Sequence, residues 1–519
     1  MATSYTNNNH SISFYLNSSN NYNTIVSSGS LTQSVTSQVV TQSFLNNYEW
    51  LNSTGSQASE WILLSGTNAI SDLNPNADGT TFSGNWNKMG HRVQIVGSRL
   101  YTNAWRNAAS EEHNGVVIFK SSSVGGWALN DYLNIPTSSV ATSAGIREFS
   151  VHGNYMSVNA VDTSGNNSKL FIYQSSSGGW SLESTLTTSS FNSVAATDVD
   201  TGANTFLACR LHGNRVVTTG FTFIYDSPQY QRFLGIFKSS SAEGWVLEDN
   251  VNVRPVNGGS SDTGGSVGIS NADLSVDGTT IAVGSKDGNG GESYHNGAGR
   301  VHIITSGSNG WEIRQQVHLM GAGVTADVSS TYGSNYTSEY RTFEKFGYAS
   351  CVVSGSYLAA TGLGQELYNS GVYYRQKNAV FIFKSSSTGW NLETRLNDPV
   401  SGSSFVASGG QNTTTNTGFG IGLGLDNNSL VVNSPFWRSD TADSDTNAEG
   451  RAYVYSSSSL NGWEIIQAID NPFSGSAIYN SGSGDNQSFT SNEQAYVSSG
   501  NPSYGVPPAI SGSVIALGA

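Results

Sequence analysis

Charge is scarce in this 519-residue chain: Asp, Glu, Lys and Arg together make up 12% of it, about half the ~25% usual in soluble domains. Basic residues are scarcer still, with 23 Lys and Arg scattered among 37 Asp and Glu, for a formal net charge of -14. Nucleic acids and anionic membranes are held by clustered Lys and Arg that release counterions, so neither is an expected partner. No apolar run approaches the ~20 residues of a membrane-spanning helix, so no membrane insertion is expected. The opening residues, Met1 to Asn7, have neither a basic nor an apolar stretch, and no secretory signal is expected. Cysteine is almost absent. Cys209 and Cys351 are the only two, which excludes a disulfide framework and predicts two buried structural thiols.

Ser, Asn, Thr and 59 Gly fill the space that charge leaves, together with 24 Tyr and 11 Trp. Disordered chains are poor in aromatics, so this composition points to a folded, turn-rich β-protein. A repeat organises it. Val117-Ile118-Phe119-Lys120 leads through Ser and Gly to Trp127, and Phe171-Ile172-Tyr173 leads to Trp180. The same pattern ends at Trp245, Trp311, Trp390 and Trp463, and a worn first copy runs from Tyr48 to Trp61. Seven copies of period-2 alternation, spaced at roughly 67 residues, fit one four-stranded blade each.

A second kind of hairpin precedes each copy but the first and recurs once more after the last. Its turns are Gly97-Ser98, Gly153-Asn154, Gly213-Asn214, Gly278-Thr279, Gly355-Ser356, Asn427-Asn428 and Gly512-Ser513. Such pairs suit two-residue loops with positive φ. Alternate apolar residues lead into each turn, for example Val93/Ile95, Phe149/Val151 and Leu423/Leu425. Cys209 and Cys351 take the same place in non-adjacent copies and are not expected to bond.

The expected fold is all-β: a seven-bladed β-propeller over residues 45–519, preceded by an extended Ser/Thr/Asn-rich arm, residues 1–44. The expected blades are 82–133, 144–187, 206–252, 267–319, 346–396 and 419–470. The seventh is composite: residues 504–519 supply two strands and residues 45–70 the other two, which removes an exposed edge. Phe346-Gly347, Phe419-Gly420 and Tyr504-Gly505, followed by segments such as Leu430-Val431-Val432-Asn433-Ser434-Pro435 and Ile515-Ala516-Leu517-Gly518-Ala519, resemble the FG-GAP repeat of integrin-α-type propellers. The resemblance spans about residues 45–519 and implies the same seven-bladed ring. Calcium-binding members of that family carry an Asp-x-Asp-x-Asp-Gly loop between the first two strands. Here that link is a Gly-Ser or Gly-Asn turn, so those sites do not carry over.

Long, unlike connections are expected on one face, where function concentrates. Those within blades are 103–115, 160–168, 220–232, 285–299, 362–377 and 434–450; those between blades are 188–204, 253–266, 320–344, 397–417 and 471–502. They carry the candidate ligand-binding aromatics Tyr294, Tyr332, Tyr336, Tyr340, Tyr368, Phe436, Trp437 and Tyr479. Tyr and Trp beside Asn and Ser suit a glycan or protein receptor. The recurring Trp residues are expected to pack blade on blade. One loop has alternating oxygen side chains, Asp440, Asp443, Asp445, Asn447 and Glu449 before Gly450, a pattern that suits Ca²⁺; the plainer reading is an acidic solvated loop.

No nucleophile, base and orienting group are visible together, so a catalytic role is not expected. His152 and His212 look like turn positions. The arm is expected to add a strand to neighbouring subunits. Low charge, abundant Ser, Asn and Gly and a docking arm resemble phage virion proteins, tail fibres or capsid decorations. The expected role is thus a structural or binding component at a virion or extracellular surface. An exported bacterial adhesin or lectin and a propeller glycosidase or lyase are the alternatives. If calcium fills the acidic loop, chelator lowers the melting temperature and Asp443→Ala abolishes that sensitivity; a melting curve indifferent to chelator removes the calcium reading.

Overall fold

A computed structural model of the chain describes residues 2–7, 10–16, 22–28, 31–37, 86–106, 113–122, 126–135, 146–161, 168–187, 190, 199–224, 229–252, 274–285, 299–317, 319, 343–344, 346–347, 350–364, 366–369, 372–376, 378–400, 405–408, 417–435, 437, 450–470 and 507–517. The chain divides into two compact units, Met1–Gly66 with Ser122–Gly126, and Thr67–Ser121 with Trp127–Ala519. Among the described residues no helix is long and apolar enough to cross a membrane.

In the first unit, β1 (Ala2–Asn7), β2 (His10–Leu16), β3 (Tyr22–Ser28) and β4 (Leu31–Ser37) form an antiparallel meander. Tyr5 pairs with Ile12, and Ile12 with Val26. This corrects the extended arm expected for residues 1–44. β1 pairs with β2, β2 with β3 and β3 with β4, so the strands satisfy one another.

The second unit carries the blades. Blade 1 is β5–β8 (Trp86–Val96, Arg99–Arg106, His113–Ser122, Gly126–Asn134). Blade 2 is β9–β12 (Ile146–His152, Tyr155–Val161, Ser168–Ser176, Gly179–Leu186). Blade 3 is β13–β16 (Val199–His212, Arg215–Ile224, Gln229–Ser240, Gly244–Asn252). Blade 4 is β17–β20 (Leu274–Asp277, Thr280–Ser285, Arg300–Gly307, Gly310–Val317).

Blade 5 begins with a short β21 (Phe343–Glu344), then β22 (Cys351–Ser354) and β23 (Tyr357–Gly364). A hairpin of β24 (Glu366–Asn369) and β25 (Val372–Gln376) interrupts it before β26 (Ala379–Ser386) and β27 (Gly389–Asn397) complete the blade. The isolated β28 (Phe405–Ser408) pairs with β25. Blade 6 is β29–β32 (Leu423–Asp426, Ser429–Ser434, Arg451–Ser458, Gly462–Asp470), and a last hairpin is β33–β34 (Ala509–Ser511, Val514–Ala516).

Each blade is a four-stranded antiparallel meander, and blade 5 carries the extra β21. The turns after the first strands explain the shared twist. Gly97, Gly153, Gly213, Gly278, Gly355 and Gly512 have φ of 55° to 60°, and Asn427 takes the same place at 49°. Positive φ at the first central residue alone is the II′ geometry that matches strand twist. The first strands touch in sequence, β5 to β9, β13, β17, β22 and β29, and β33 touches both β29 and β5. A closed circuit of first strands sets them at the axis of a β-propeller.

Six four-stranded blades are therefore described where seven were expected. The β33–β34 hairpin takes its place in the circuit, whereas residues 45–70, expected to complete its blade, lie outside the described residues. Apolar clusters fill the junctions: Tyr101, Ile118, Phe149, Met156 and Phe171 pack between blades 1 and 2. Val93, Ile95 and Ala509 pack where the last hairpin meets blade 1. The Phe-Gly corners are wedges of the same kind. Phe419 is fully buried, and a Cβ on Gly420, which has φ +84°, would stand 2.8 Å from Val380 Cγ2. Cys209 and Cys351 are buried free thiols, as expected.

Several stretches expected as loop are strand. Blade 3 is the clearest: β13 has 14 residues against 7 for β9, and Val199 pairs with Ile224 and Phe223 with Tyr230. Strands β14 and β15 each run three residues longer than β10 and β11, which carries blade 3 about 10 Å further than blade 2 at ~3.3 Å per residue. Alternation with Gly and Thr hid this from the sequence.

Gly424 reports on closure. On β29 it leaves room for the carbonyl oxygen of Pro508, which a Cβ would meet at 2.5 Å. Gly424→Ala is expected to cost about 1–3 kcal/mol and to raise hydrogen exchange in 507–517 before other strands. Unchanged exchange there would remove Pro508 from the closing contact.

Candidate functional site

The site follows from a problem at the axis. A first strand is hydrogen-bonded on one edge only, and its free backbone N–H groups need partners. Side chains of the preceding blade supply them. At five of the tight turns the residue before the turn accepts from the turn of the next blade: Gly213 N donates to His152 Nδ1 (2.9 Å), and Gly278 N to His212 Nε2 (3.2 Å). Gly355 N donates to Asp277, Asn427 N to Ser354 Oγ (3.1 Å) and Gly512 N to Asp426 Oδ2 (2.6 Å). Two residues further back, Gln94 exchanges two 2.8 Å bonds with the backbone of Val151. At the equivalent places Ser150 Oγ accepts from Leu211 N (2.9 Å) and Ser275 Oγ from Val353 N (3.0 Å).

His152 and His212 do occupy turn positions, as expected, but they also act across blades. Their ring centroids lie 4.4 Å apart, with the planes tilted by 32°. Burial, and then the neighbouring His212 ring, lower the pKa of His152, which keeps Nδ1 free to accept.

Away from the turns, toward the long connections, the ladder becomes ionic. Glu148 on β9 is buried, with 2% of its side chain exposed, and meets Arg92 Nη1 of β5 at 3.3 Å. It also pairs with Arg210 Nη1 of β13 and accepts from Cys209 N at 2.9 Å. Arg210 additionally donates to the Cys209 carbonyl at 2.7 Å. Two guanidiniums from blades 1 and 3 thus share one carboxylate from blade 2. Burial, then the Arg210 charge, lower the pKa of Arg92 to about 10. Sequence reading missed this trio because its members stand 56 to 118 positions apart in the chain. Charged residues in otherwise apolar first strands were the available signal.

The outer strands are stitched by the repeated Trp residues, in the packing role expected for them. Trp245 stands edge-on to Tyr155 at 5.4 Å and Trp463 to Tyr357 at 5.2 Å. Their indole N–H groups reach Glu183 (3.2 Å) and Glu393 (2.9 Å) of the preceding blade, and that of Trp311 reaches Glu248 (3.3 Å).

Of the aromatics expected to face a ligand, the structure describes two. Trp437 is half-buried, with the Arg451 guanidinium 3.5 Å from its ring centroid. Arg451 is in turn paired with Asp470. The Trp437 carbonyl accepts from Gly450 N at 3.0 Å, so this pair closes the neck of the acidic loop. The backbone of Tyr368 lies in β24 opposite Tyr373, within the three-stranded β24–β25–β28 sheet. Tyr294, Tyr332, Tyr336, Tyr340, Phe436 and Tyr479 lie outside the described residues, as do Asp440, Asp443, Asp445, Asn447 and Glu449.

No family model matches the chain, and no curated protein matches it. Solved structures similar to it include the β-propeller domain of the Trilobed protease from Pyrococcus furiosus. That match has a TM-score of 0.36 and 8% identity, over 74% of this chain and 83% of that one. An Aleuria aurantia lectin mutant in complex with α-methyl-L-fucoside matches at TM-score 0.29 and 9% identity, over 77% and 96%. Trypanosoma rangeli sialidase matches at 0.32 and 11%, over 62% and 56%.

One buried histidine gives the blades a pH dependence. His302 on β19 is fully buried, and burial, then the Arg300 charge, push its pKa down to about 3. Blades 2 and 5 place Phe171 and Phe381 at the same point. A folded pKa below the unfolded ~6.5 means that stability is present above pH 6.5 and lost as pH falls toward 3. His302→Phe is expected to shrink the loss of unfolding free energy between pH 7 and pH 4 by about 1–3 kcal/mol. Urea titrations with the same acid loss in both proteins would assign it to other groups.

Proposed function

We propose that this β-propeller is a non-enzymatic structural and binding component of a virion or other extracellular surface assembly. Its loop face presents a binding surface to a glycan or protein receptor. The observation that carries this reading is the unlikeness of the two ends of the ring. One end has two-residue turns of a single geometry after every described first strand. The other bears the blade 3 extension, the β24–β25–β28 sheet and the long connections between blades. Rigid repeated hairpins make a scaffold, and irregular connections gathered at one end make a surface that can vary without unfolding it.

The ring itself is read as seven-bladed, in the manner of FG-GAP propellers, with the Trp61 hairpin of residues 45–70 completing β33–β34. Blade 6 supports this. Ile466, 40% exposed, stands where Glu183, Glu248 and Glu393 receive the Trp of a following blade. An apolar residue at that place suits an aromatic ring laid against it. The meander of residues 2–37 is read as the attachment to other structural subunits.

The test is binding by the purified chain to a glycan array and to candidate host surfaces. A partner protein replaces the β24–β25 hairpin, residues 366–376, with a short Gly-Ser link. Binding is expected to fall at least tenfold on replacement while the melting temperature holds. A chain that binds no glycan and no surface, or a replacement that binds undiminished, overturns the loop-face reading.

A further inference from the structure

We propose that one face of the β1–β4 meander is an interface on which two copies of this chain pair, sheet against sheet. The register sorts its residues into unlike faces. Tyr5, Ile12 and Val26 stand in one row across β1, β2 and β3, and Leu16 pairs with Tyr22. Phe14 and Val35 fall in the row between, both opposite Thr24. Successive residues of a strand belong to opposite faces, so Ile12, Phe14 and Leu16 put these three rows on one face. The rows of the other face are richer in Ser and Thr: Thr6, Ser11, Ser27 and Thr32 align across all four strands.

A sheet that is apolar on one face has to lay it against a second layer. Among the described residues of Met1–Gly66, β1–β4 are the whole of the strand structure, and no second layer stands there. A unit below ~40 residues usually needs disulfides, a metal or oligomerisation to hold, and both cysteines of the chain lie in the propeller. Charge points to the occupant. Residues 1–48 contain no Asp, Glu, Lys or Arg, in a chain whose net charge is -14. The acidic remainder of two copies repels, whereas these strands meet without like charges. A two-fold interface uses the same patch twice, so the patch has to match itself. An uncharged apolar face does so, and a charged partner finds no counter-charge on it. Two such faces pack ~10 Å apart as the halves of a sandwich. Tyr5, Phe14 and Tyr22 alone offer roughly 450–750 Å² per copy at ~150–250 Å² each. With the aliphatic residues added, two copies reach about the 1,200–2,000 Å² of a stable interface.

This sharpens the reading of residues 2–37 as an attachment, and rests on it: the subunit attached is a second copy. Light scattering of the full chain over a range of concentrations tests it. Wild type is expected to be a dimer. Phe14→Glu sets a carboxylate in a dry interface and is expected to weaken the dimer at least tenfold. Ser13→Glu places the same charge one residue away, on the other face, and is expected to dimerise as wild type does. Hydrogen exchange separates a lost interface from a misfolded variant. In wild type, protection of residues 2–37 is expected to rise with concentration while that of the propeller strands stays constant. A monomeric wild type, a Phe14→Glu dimer as tight as wild type, a monomeric Ser13→Glu, or exchange in 2–37 indifferent to concentration overturns the pairing. Glycan-array binding is read on the same preparations. A monomer that binds fails here alone, and a dimer that binds nothing fails the loop-face reading alone.

Discussion

Everything in this propeller depends on satisfying the open edge of seven first strands. A strand at the centre of a ring cannot be covered by another strand, because its neighbours are turned face-on rather than edge-on. Its N–H groups would stay unpaired at a cost of about 1–3 kcal/mol each. The chain solves this with side chains, and the solution is directional: blade n supplies the acceptor and blade n+1 the donor, as from His152 to Gly213 and from Asp426 to Gly512. The type of acceptor is free, so His, Asp and Ser all serve. Val96 is the exception, and Gln94 compensates by bonding both the N–H and the carbonyl of Val151.

The outer rim follows a second version of the same rule. Trp311 N donates to Asp249 Oδ2 at 2.6 Å, and Gln315 exchanges two bonds with the backbone of Trp390. Indole N–H groups point at acidic residues of the blade before. Aromatic bulk fills the widening gap between blades, and polar tips fix its depth. Hydrophobic burial therefore holds adjacent blades together, while hydrogen bonds at axis and rim fix how far one blade can slide on the next. The Arg92–Glu148–Arg210 trio departs from this economy, since an apolar junction or a neutral acceptor would serve the edge as well.

Local features were legible in the sequence. Gly-Ser and Gly-Asn pairs marked the two-residue turns with positive φ, alternation marked the strands beside them, and Cys209 and Cys351 are buried as read. What the sequence hid was long-range or masked by composition. No periodicity links Gln94 to Val151 or Ser275 to Val353, because the donor is backbone and carries no residue signal. The strand at Val199–Phe206 contains Gly202 and Asn204, which read as turn, yet its partner Arg215–Ile224 extends it. Over residues 1–44 short alternating runs such as Ile12-Ser13-Phe14 read as an arm that lends a strand to a neighbour, since no residue signal says that β1 to β4 pair with one another. Among the proposed ligand aromatics, Trp437 carries no mark that it would lie under Arg451, since that contact joins the two ends of a long connection.

The packing of β33 against both β29 and β5 has a consequence in time. It joins parts of the chain roughly 400 residues apart, and such distant contacts form last and slowly. While the chain emerges from a ribosome, blades 1 to 6 can stack one on another as each is completed, because acceptors on a finished blade meet donors of the next, as Gln94 meets Val151 and His152 meets Gly213. Until Pro508 and Ala509 arrive, though, the stack is an open fan whose two end blades expose the apolar faces that the ring later hides. Closing the seam thus ends a period of exposure to aggregation, and β33–β34, two strands of three residues each, is short enough to form quickly.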